Sequence, residues 1–373
     1  MNLLLIVSPN HTGITYYRLT MPHNQMYDAG FNVSQAICTG DDLKNISDDE
    51  LKKFDGVLFS RVISTKLKTK EITDRCKSLG LKVFFDIDDY WLLPSWHGMK
   101  KIWEDSNLLS ASLQGINQSD VVITTTPSLW EKIYQYNKNV YVVPNSFYEK
   151  EKQFTKREIK NKRLRVGWVG GVYHLNDFKM IEGEFKKIWG DKELVDKIQL
   201  CLGGYTEGQK EYLSIEKIMT NNYSGLDSEY ISFLKKDTRM FEHVSFNKPY
   251  RRLYGRDVNE YMDIYNDLDI CIAPLGDGVF NNSKSQLKVI EAGVMGKAFI
   301  GSNVYPYTID CNKSNSMLVN NSEWYQAIRE LVFNEEKRKE LAENLNLQIK
   351  EKYNSEKINE QRKKIYWNRN NHL

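Results

Sequence analysis

Short apolar runs alternate with longer amphipathic stretches through the first half of the chain, the pattern of a parallel sheet wrapped by helices. Strands are expected at Leu3–Ser8, Val33–Cys38, Gly56–Ser60, Lys82–Asp86, Val121–Thr124 and Tyr141–Val143. Between them, Tyr16–Ala29, Thr69–Leu79 and Ser128–Tyr136 read as helices. The alternation stops at Pro144-Asn145, and a charged stretch from Glu149 to Arg163, with no clear apolar face, reads as a linker. A second series opens with Leu164–Val169 and continues with strands near Ile198–Leu202, Val244–Phe246, Leu268–Ala273, Ala298–Gly301 and Met317–Val319. Its helices fall near Asp177–Ile188, Asn259–Tyr265, Ser283–Met295 and Ser322–Phe333. Helical sequence rich in Lys and Glu follows from Glu335 to Trp367, and the apolar Ile365, Tyr366 and Trp367 suit a terminal helix docked on another surface.

Two such series in 373 residues imply two α/β lobes, because single cores stop growing at roughly 250 to 300 residues. The expected domains are residues 1–147, joined by a C-terminal helix at 355–373, a linker at 148–163, and residues 164–354. A hydrophobic fraction of 41% with 27% charged residues fits a chain that folds throughout. The 52 Lys and Arg are nearly matched by 49 Asp and Glu, so the net charge of +3 gives no overall basic field for nucleic acid. Five scattered cysteines without a C-x-x-C pair, and no clustered histidines, fit a reducing compartment and argue against a zinc site. The apolar run Leu3–Val7 is too short for a signal peptide core or a spanning helix. A cytoplasmic protein is therefore expected, with peripheral attachment at the inner membrane face, or a host cytoplasm for a phage-encoded chain, left open.

Candidate chemistry concentrates between Ala273 and Lys297, which read as strand, turn, helix and turn. With Ser283 as helix cap, Lys284, Lys288, Glu291 and Met295 share one face, while Leu287, Ile290 and Val294 share another. A helix N-terminus favours anions, two lysines strengthen that preference for a diphosphate, and a carboxylate two turns on can accept hydrogen bonds from ribose hydroxyls. The same residues also read as a solvated helix face with an i,i+3 ion pair.

The run Phe280-Asn281-x-x-Lys284-Ser285-x-Leu287-Lys288-x-x-Glu291-Ala292-Gly293-x-x-Gly296-Lys297 resembles the donor-site motif of GT-B glycosyltransferases related to the large retaining family of bacterial and phage enzymes, the glycosyl transferases group 1. The resemblance implies two Rossmann-like, doubly wound parallel-sheet domains facing a central cleft, and a UDP- or GDP-linked sugar as co-substrate. It implies that Glu291 contacts the nucleotide ribose, and that Lys284 and Lys288, with Asn282 and Ser283 beside them, hold the diphosphate. Many retaining members carry a second glutamate eight positions earlier. Here that position is Ser283, so the stereochemical course stays open, with retention as the expectation.

Gly13-Ile14-Thr15-Tyr16-Tyr17-Arg18-Leu19 is similar to the family's N-terminal loop and helix, which puts Gly13, Tyr16 and Arg18 on the acceptor side; an ordinary helix-starting turn is the alternative. Asp86-Ile87-Asp88-Asp89-Tyr90-Trp91 resembles a recurrent acidic turn at a strand end. Asp88 and Asp89 there can deprotonate an acceptor hydroxyl, bind a metal, or cap the next helix. His97 is a candidate for contact with the transferred sugar. Val166-Gly167-Trp168-Val169-Gly170-Gly171 is similar to the family's first strand and glycine loop of the donor domain, so Gly170, Gly171 and His174 join the donor side, with Asp177 read as a helix cap. Lys284, Glu291, Asp88 and His97 make up the expected catalytic set. No divalent-metal motif is present and no cofactor is expected beyond the nucleotide sugar.

A glycan or another hydroxyl compound is the expected acceptor. The segment Lys248-Pro249-Tyr250-Arg251-Arg252-Leu253-Tyr254-Gly255-Arg256 offers an alternative. Lys248, Arg251, Arg252 and Arg256 interleaved with tyrosines suit a nucleic-acid backbone, as in a phage-type DNA glycosyltransferase acting on a hydroxymethylated base. A basic loop near the nucleotide cleft, or a solvated surface, explains the same residues. A nucleotide-sugar 2-epimerase of the same fold is a second alternative, and a noncatalytic two-lobed sugar-binding protein a third.

Overall fold

The structure, a computed structural model, describes residues 1–7, 13–31, 34–64, 67–159, 161–239 and 245–367. It forms two compact units, Met1–Tyr148 with Asn282–Ser285 and Lys352–Leu373, and Glu149–Asn281 with Gln286–Glu351.

The first unit holds a six-stranded parallel sheet of β1 (Asn2–Val7), β2 (Ser34–Thr39), β3 (Gly56–Ser60), β4 (Lys82–Ile87), β5 (Val121–Thr124) and β6 (Val140–Val142), in the order β2-β1-β3-β4-β5-β6. Its strands are continuous apolar runs because helices cover both faces. Alternate residues supply two cores, Leu4, Phe59 and Phe85 packing with Ile116 and Leu129 on one side, and Leu3, Leu58 and Phe84 packing with Ile358 and Tyr366 on the other. The last two come from the terminal helix Ser355–Trp367, which Asn359 Nδ2 ties to the Pro22 carbonyl at 2.9 Å.

In the second unit β7 (Leu164–Val169), β8 (Ile198–Tyr205), β9 (Tyr250–Tyr254), β10 (Ile270–Ala273), β11 (Ala298–Ser302) and β12 (Met317–Val319) order as β12-β11-β10-β7-β8-β9, all parallel. This is the doubly wound Rossmann order. Its winding reverses between β7 and β10, and in open α/β sheets ligands bind outside the carboxyl ends of the strands at such a reversal. The corresponding reversal in the first sheet lies between β1 and β3.

Several elements depart from the sequence expectation. The helix expected over Tyr16–Ala29 begins as a π-helical turn at Tyr16–Thr20, where the Met21 N–H reaches back to the Tyr16 carbonyl. Helices Lys100–Asp105, Leu108–Gln118, Lys210–Met219 and Ser228–Lys235 fill stretches given no element. The strand expected at Val244–Phe246 lies instead at Tyr250–Tyr254, because a buried acidic environment lets two arginines occupy a strand interior. Val244, like Ser8 and Val33, lies outside the described residues. The helix expected at Ser283–Met295 is broken: Val279–Asn282 makes one turn, and a new helix, Leu287–Val294, starts after Gln286. Among the described residues no helix is long and apolar enough to cross a membrane.

Candidate active site

In the second unit the chain leaves β7 through Gly170-Gly171, beside the reversal point. The Gly170 carbonyl accepts from Tyr212 Oη at 2.7 Å, and its N–H donates to the Gly203 carbonyl at 3.2 Å. A Cβ at Gly170 would stand 2.5 Å from Trp168 Cζ2, whereas one at Gly171 would meet nothing within 4 Å. Gly170 is thus required by packing, and Gly171 keeps space open.

Asp177 is the hub of this corner. It is 3% exposed, and Oδ2 receives His174 Nδ1 at 2.7 Å while Oδ1 receives the Gly276 N–H at 2.8 Å and Asn281 Nδ2 at 3.4 Å. It therefore joins the loop after β7 to the loop after β10, and no helix cap is made by its side chain. A carboxylate can only accept, so His174 carries a proton on Nδ1 toward Asp177. Trp168 braces the imidazole edge-on, with ring centroids 5.4 Å apart. Asn281 Nδ2 also donates to the Gly276 carbonyl at 2.9 Å, and its Oδ1 is buried without a hydrogen-bond partner among the described residues.

Helix Leu287–Val294 starts at the carboxyl edge, since it follows β10 and its loop. Lys288 lies in its first turn and Glu291 one turn on. Glu291 is 2% exposed; Oε2 accepts from Lys288 Nζ at 2.9 Å and from Tyr265 Oη at 2.6 Å. Lys288 Nζ also donates to Tyr261 Oη at 3.1 Å. Burial opposes the Lys288 charge, but Glu291 and Tyr261 outweigh it and hold the ammonium above its usual range. Burial, with the Glu291 charge next to it, pushes the Tyr261 phenol up to about 12. The pair is an i,i+3 ion pair, yet it is buried rather than a solvated face.

Ser283 is buried but caps no helix, because Gln286 occupies the N-cap position and residues 283–286 are not helical. Lys284 consequently does not share the face of Lys288 and Glu291. Asn282, Ser283, Lys284 and Ser285 group with the first unit, where Asn145 Nδ2 donates to Ser285 Oγ at 2.9 Å.

In the first unit the carboxyl edge of β3 and β4 gathers the acidic turn. Arg61, directly after β3, has a positive φ of 56° that turns its side chain onto the turn. Its Nε donates to Asp88 Oδ1 at 2.8 Å and its Nη2 to Asp89 Oδ2 at 2.5 Å. Burial drives the Asp88 carboxyl up even beside Arg61, whereas at Asp89 burial is outweighed by Arg61 and Lys284, which hold it low. His97, half-buried, accepts the Met99 N–H on Nδ1 at 3.2 Å, which leaves its proton on Nε2.

Two acceptor-side expectations change. Arg18 is 1% exposed and bidentate to Asp86 at 2.9 and 2.8 Å, with Nη1 donating to the Val143 carbonyl and to Asn145. The π-turn aims it inward, so it braces β4 and the loop after β6 instead of reaching an acceptor. Tyr16 is buried against Tyr17, while Gly13 is exposed and a Cβ there would meet nothing within 4 Å.

The basic segment is no surface patch. Arg251 pairs with Asp267 at 3.0 Å, and Arg252 with Glu216 at 2.6 Å and Asp237 at 3.0 Å, both guanidiniums being buried in β9. Lys248 pairs with Asp227 and Arg256 with Asp263. Among the described residues no three His, Cys, Asp or Glu gather as metal ligands would.

Sequence reasoning missed Arg61, Tyr261, Tyr265 and the hub role of Asp177. The first was findable, since three aspartates in Asp86–Asp89 demand cations and Arg61 directly follows the expected strand Gly56–Ser60. The tyrosines left no periodic signal.

Two Rossmann-like parallel sheets in one chain, with polar clusters at their carboxyl edges, define the GT-B fold. No protein-family model matches the sequence, and no curated protein sequence matches it. Among solved structures, the chain is similar to a sucrose-phosphate synthase from Thermosynechococcus elongatus, at 14% identity over 98% of each chain with a TM-score of 0.64. It is similar to Anabaena HepE in complex with UDP and glucose, at 12% identity over 98% of this chain and 99% of that one, TM-score 0.65. It also resembles a UDP-forming α,α-trehalose-phosphate synthase from Burkholderia xenovorans, at 11% identity over 88% and 76%, TM-score 0.57.

Proposed function

We propose that this chain is a glycosyltransferase that moves a sugar from a UDP-linked donor to a hydroxyl of a glycan or similar acceptor, without a metal ion. The observation that carries this reading is the buried Glu291 carboxylate, held by Lys288 and Tyr265 at the carboxyl edge of a Rossmann sheet in a GT-B chain. The UDP preference rests on the structural neighbours solved with UDP or UDP-glucose.

Glu291 binds the ribose hydroxyls, and Lys288 adds positive charge beside the diphosphate. The open side of Gly171 admits the phosphates to backbone amides, and His174, held by Asp177 and Trp168, binds on the donor side. The diphosphate is the leaving group. Stabilising that leaving group is the main chemical demand, because charge builds there in the transition state.

We infer a retaining course. Asp86 is taken by Arg18, and Asp88 and Asp89 by Arg61, so none of the three is an unengaged base, and retention needs no strong one. Asp88, Asp89 and Gly13 then serve the acceptor side. Buried Arg251 and Arg252 disfavour a DNA acceptor.

The test is incubation with a panel of nucleotide sugars, following free UDP and the donor by NMR. UDP release from at least one UDP-sugar, with an acceptor-linked product of the donor's anomeric configuration, is expected. An isomerised donor without UDP release would make the protein an epimerase, and an inverted product would overturn the retaining course.

A further inference from the structure

At the end of the second sheet opposite the candidate donor site lies a separate cavity of about 970 Å³. Leu164 opens β7, and Lys197, Asp269 and Lys297 immediately precede β8, β10 and β11, so the cavity sits at the amino edge of the strands. Ligands of open α/β sheets bind at the carboxyl edge, and this cavity is therefore not a continuation of the nucleotide site.

Seven Lys and Arg line it against four Asp and Glu, in a chain whose net charge is only +3. How those cations are held matters more than their number. Arg163 Nη1 donates to the carbonyls of Val195 and Ile198, and Arg338 Nη1 to those of Leu331 and Val332. Carbonyls position a guanidinium without cancelling its charge. Arg165 is 3% exposed; Asp269 takes its Nε and Nη2, but Nη1 is buried with no hydrogen bond and stands 3.6 Å from Asp267. Burial also depresses the Lys297 ammonium, with Cys271 and Asp269 compensating only in part and Arg165 adding to the repulsion. Guanidiniums held by carbonyls and a lysine beside them leave this cavity with an excess of positive charge that a bound anion would offset.

We propose that this cavity binds the phosphate group of a small phosphorylated compound, held by Arg165 and Lys297, with Arg163, Arg338 and Lys197 around it. The volume is at the upper end of the range for small-molecule sites, which suits a phosphate ester over a bare ion. Phe333, with Lys197 Nζ 5.5 Å from its ring centroid, and buried Val332 supply an apolar wall for the rest of such a molecule.

Calorimetric titration with inorganic phosphate and with pyrophosphate, carried out at saturating UDP, tests this. Binding that persists with UDP present is expected, weakened about tenfold or more in Lys297→Met, as loss of a charge-assisted contact implies. Glu291→Gln should leave it unchanged. Lys197→Gln, at an exposed position, and Arg338→Gln should each weaken it by a smaller factor and carry the test if Lys297→Met does not fold. Displacement of phosphate by UDP, absence of binding for both anions, or affinities in these variants equal to wild type would overturn the proposal. Because the anion titration is read independently of turnover, failure of the glycosyltransferase reading would leave this outcome intact.

Discussion

Glu291 and Lys288 are buried together, so removing either leaves a charge without its partner. Glu291→Ala is expected to cost about 3 to 5 kcal/mol of stability, measured by urea unfolding, because the Lys288 ammonium stays behind. Glu291→Gln keeps an acceptor for Tyr265 and is the variant that isolates the binding role. The two glycines after β7 make an internal control. Gly170→Ala drives a methyl into Trp168 and should lower stability by about 1 to 3 kcal/mol. Gly171→Ala has room, so its unfolding midpoint should match wild type within about 0.5 kcal/mol while donor affinity falls. If Gly171→Ala binds UDP as wild type does, the phosphate path runs elsewhere. Asp177→Asn keeps an oxygen for the Gly276 N–H but turns an amide toward His174, forcing the proton onto Nε2. Imidazole nitrogen NMR should report the switched tautomer, and turnover should fall by about a hundredfold or more, as when a catalytic histidine is held in the wrong tautomer. An unchanged rate would remove His174 from the site.

At the scale of elements, the parallel strands were legible because each is a short apolar run of the right length, and Gly56–Ser60, Val121–Thr124, Leu164–Val169 and Met317–Val319 fall where the pattern puts them. β9 was not, since Tyr250-Arg251-Arg252-Leu253-Tyr254 owes its strand to Glu216, Asp237 and Asp267, which are distant in sequence. Periodicity also ran through the break at residues 283–286, because Ser283 and Leu287 both suit a helix start and nothing local separates them. Within the first unit, the helix Met21–Asp28 buries His23 against the terminal helix, with Nδ1 at the Leu19 carbonyl and Nε2 at Tyr366 Oη. Burial drives its pKa down from 6.5 to about 3, with Arg362 adding to the effect. Between those values the unfolded chain binds a proton that the folded chain refuses. Stability should therefore fall as pH drops from about 6.5 toward 3, at no more than about 1.4 kcal/mol per pH unit from this group. Urea midpoints at pH 7 and 5 should show a smaller drop in His23→Gln than in wild type; equal drops would place the acid sensitivity elsewhere.

For the whole molecule, two Rossmann-like sheets could be expected from length and alternation, whereas spacing alone left Lys284, Lys288 and Glu291 equally readable as a solvated helix face and only the family resemblance pointed to a donor site. The acceptor could not, because nothing in a sequence pattern specifies the shape of a hydroxyl compound. A balanced net charge and internally paired arginines predict that a duplex carrying hydroxymethylated bases gives no retarded complex at physiological salt. A retarded complex would reopen DNA as the acceptor. The most direct measurement of the central claim is calorimetric titration of UDP into the wild-type protein and into Glu291→Gln. The wild type should bind UDP, and the variant, folded to the same extent by circular dichroism, should bind it about tenfold more weakly or worse. No UDP binding by the wild type, or equal affinities in the two proteins, would contradict a nucleotide site built around Glu291.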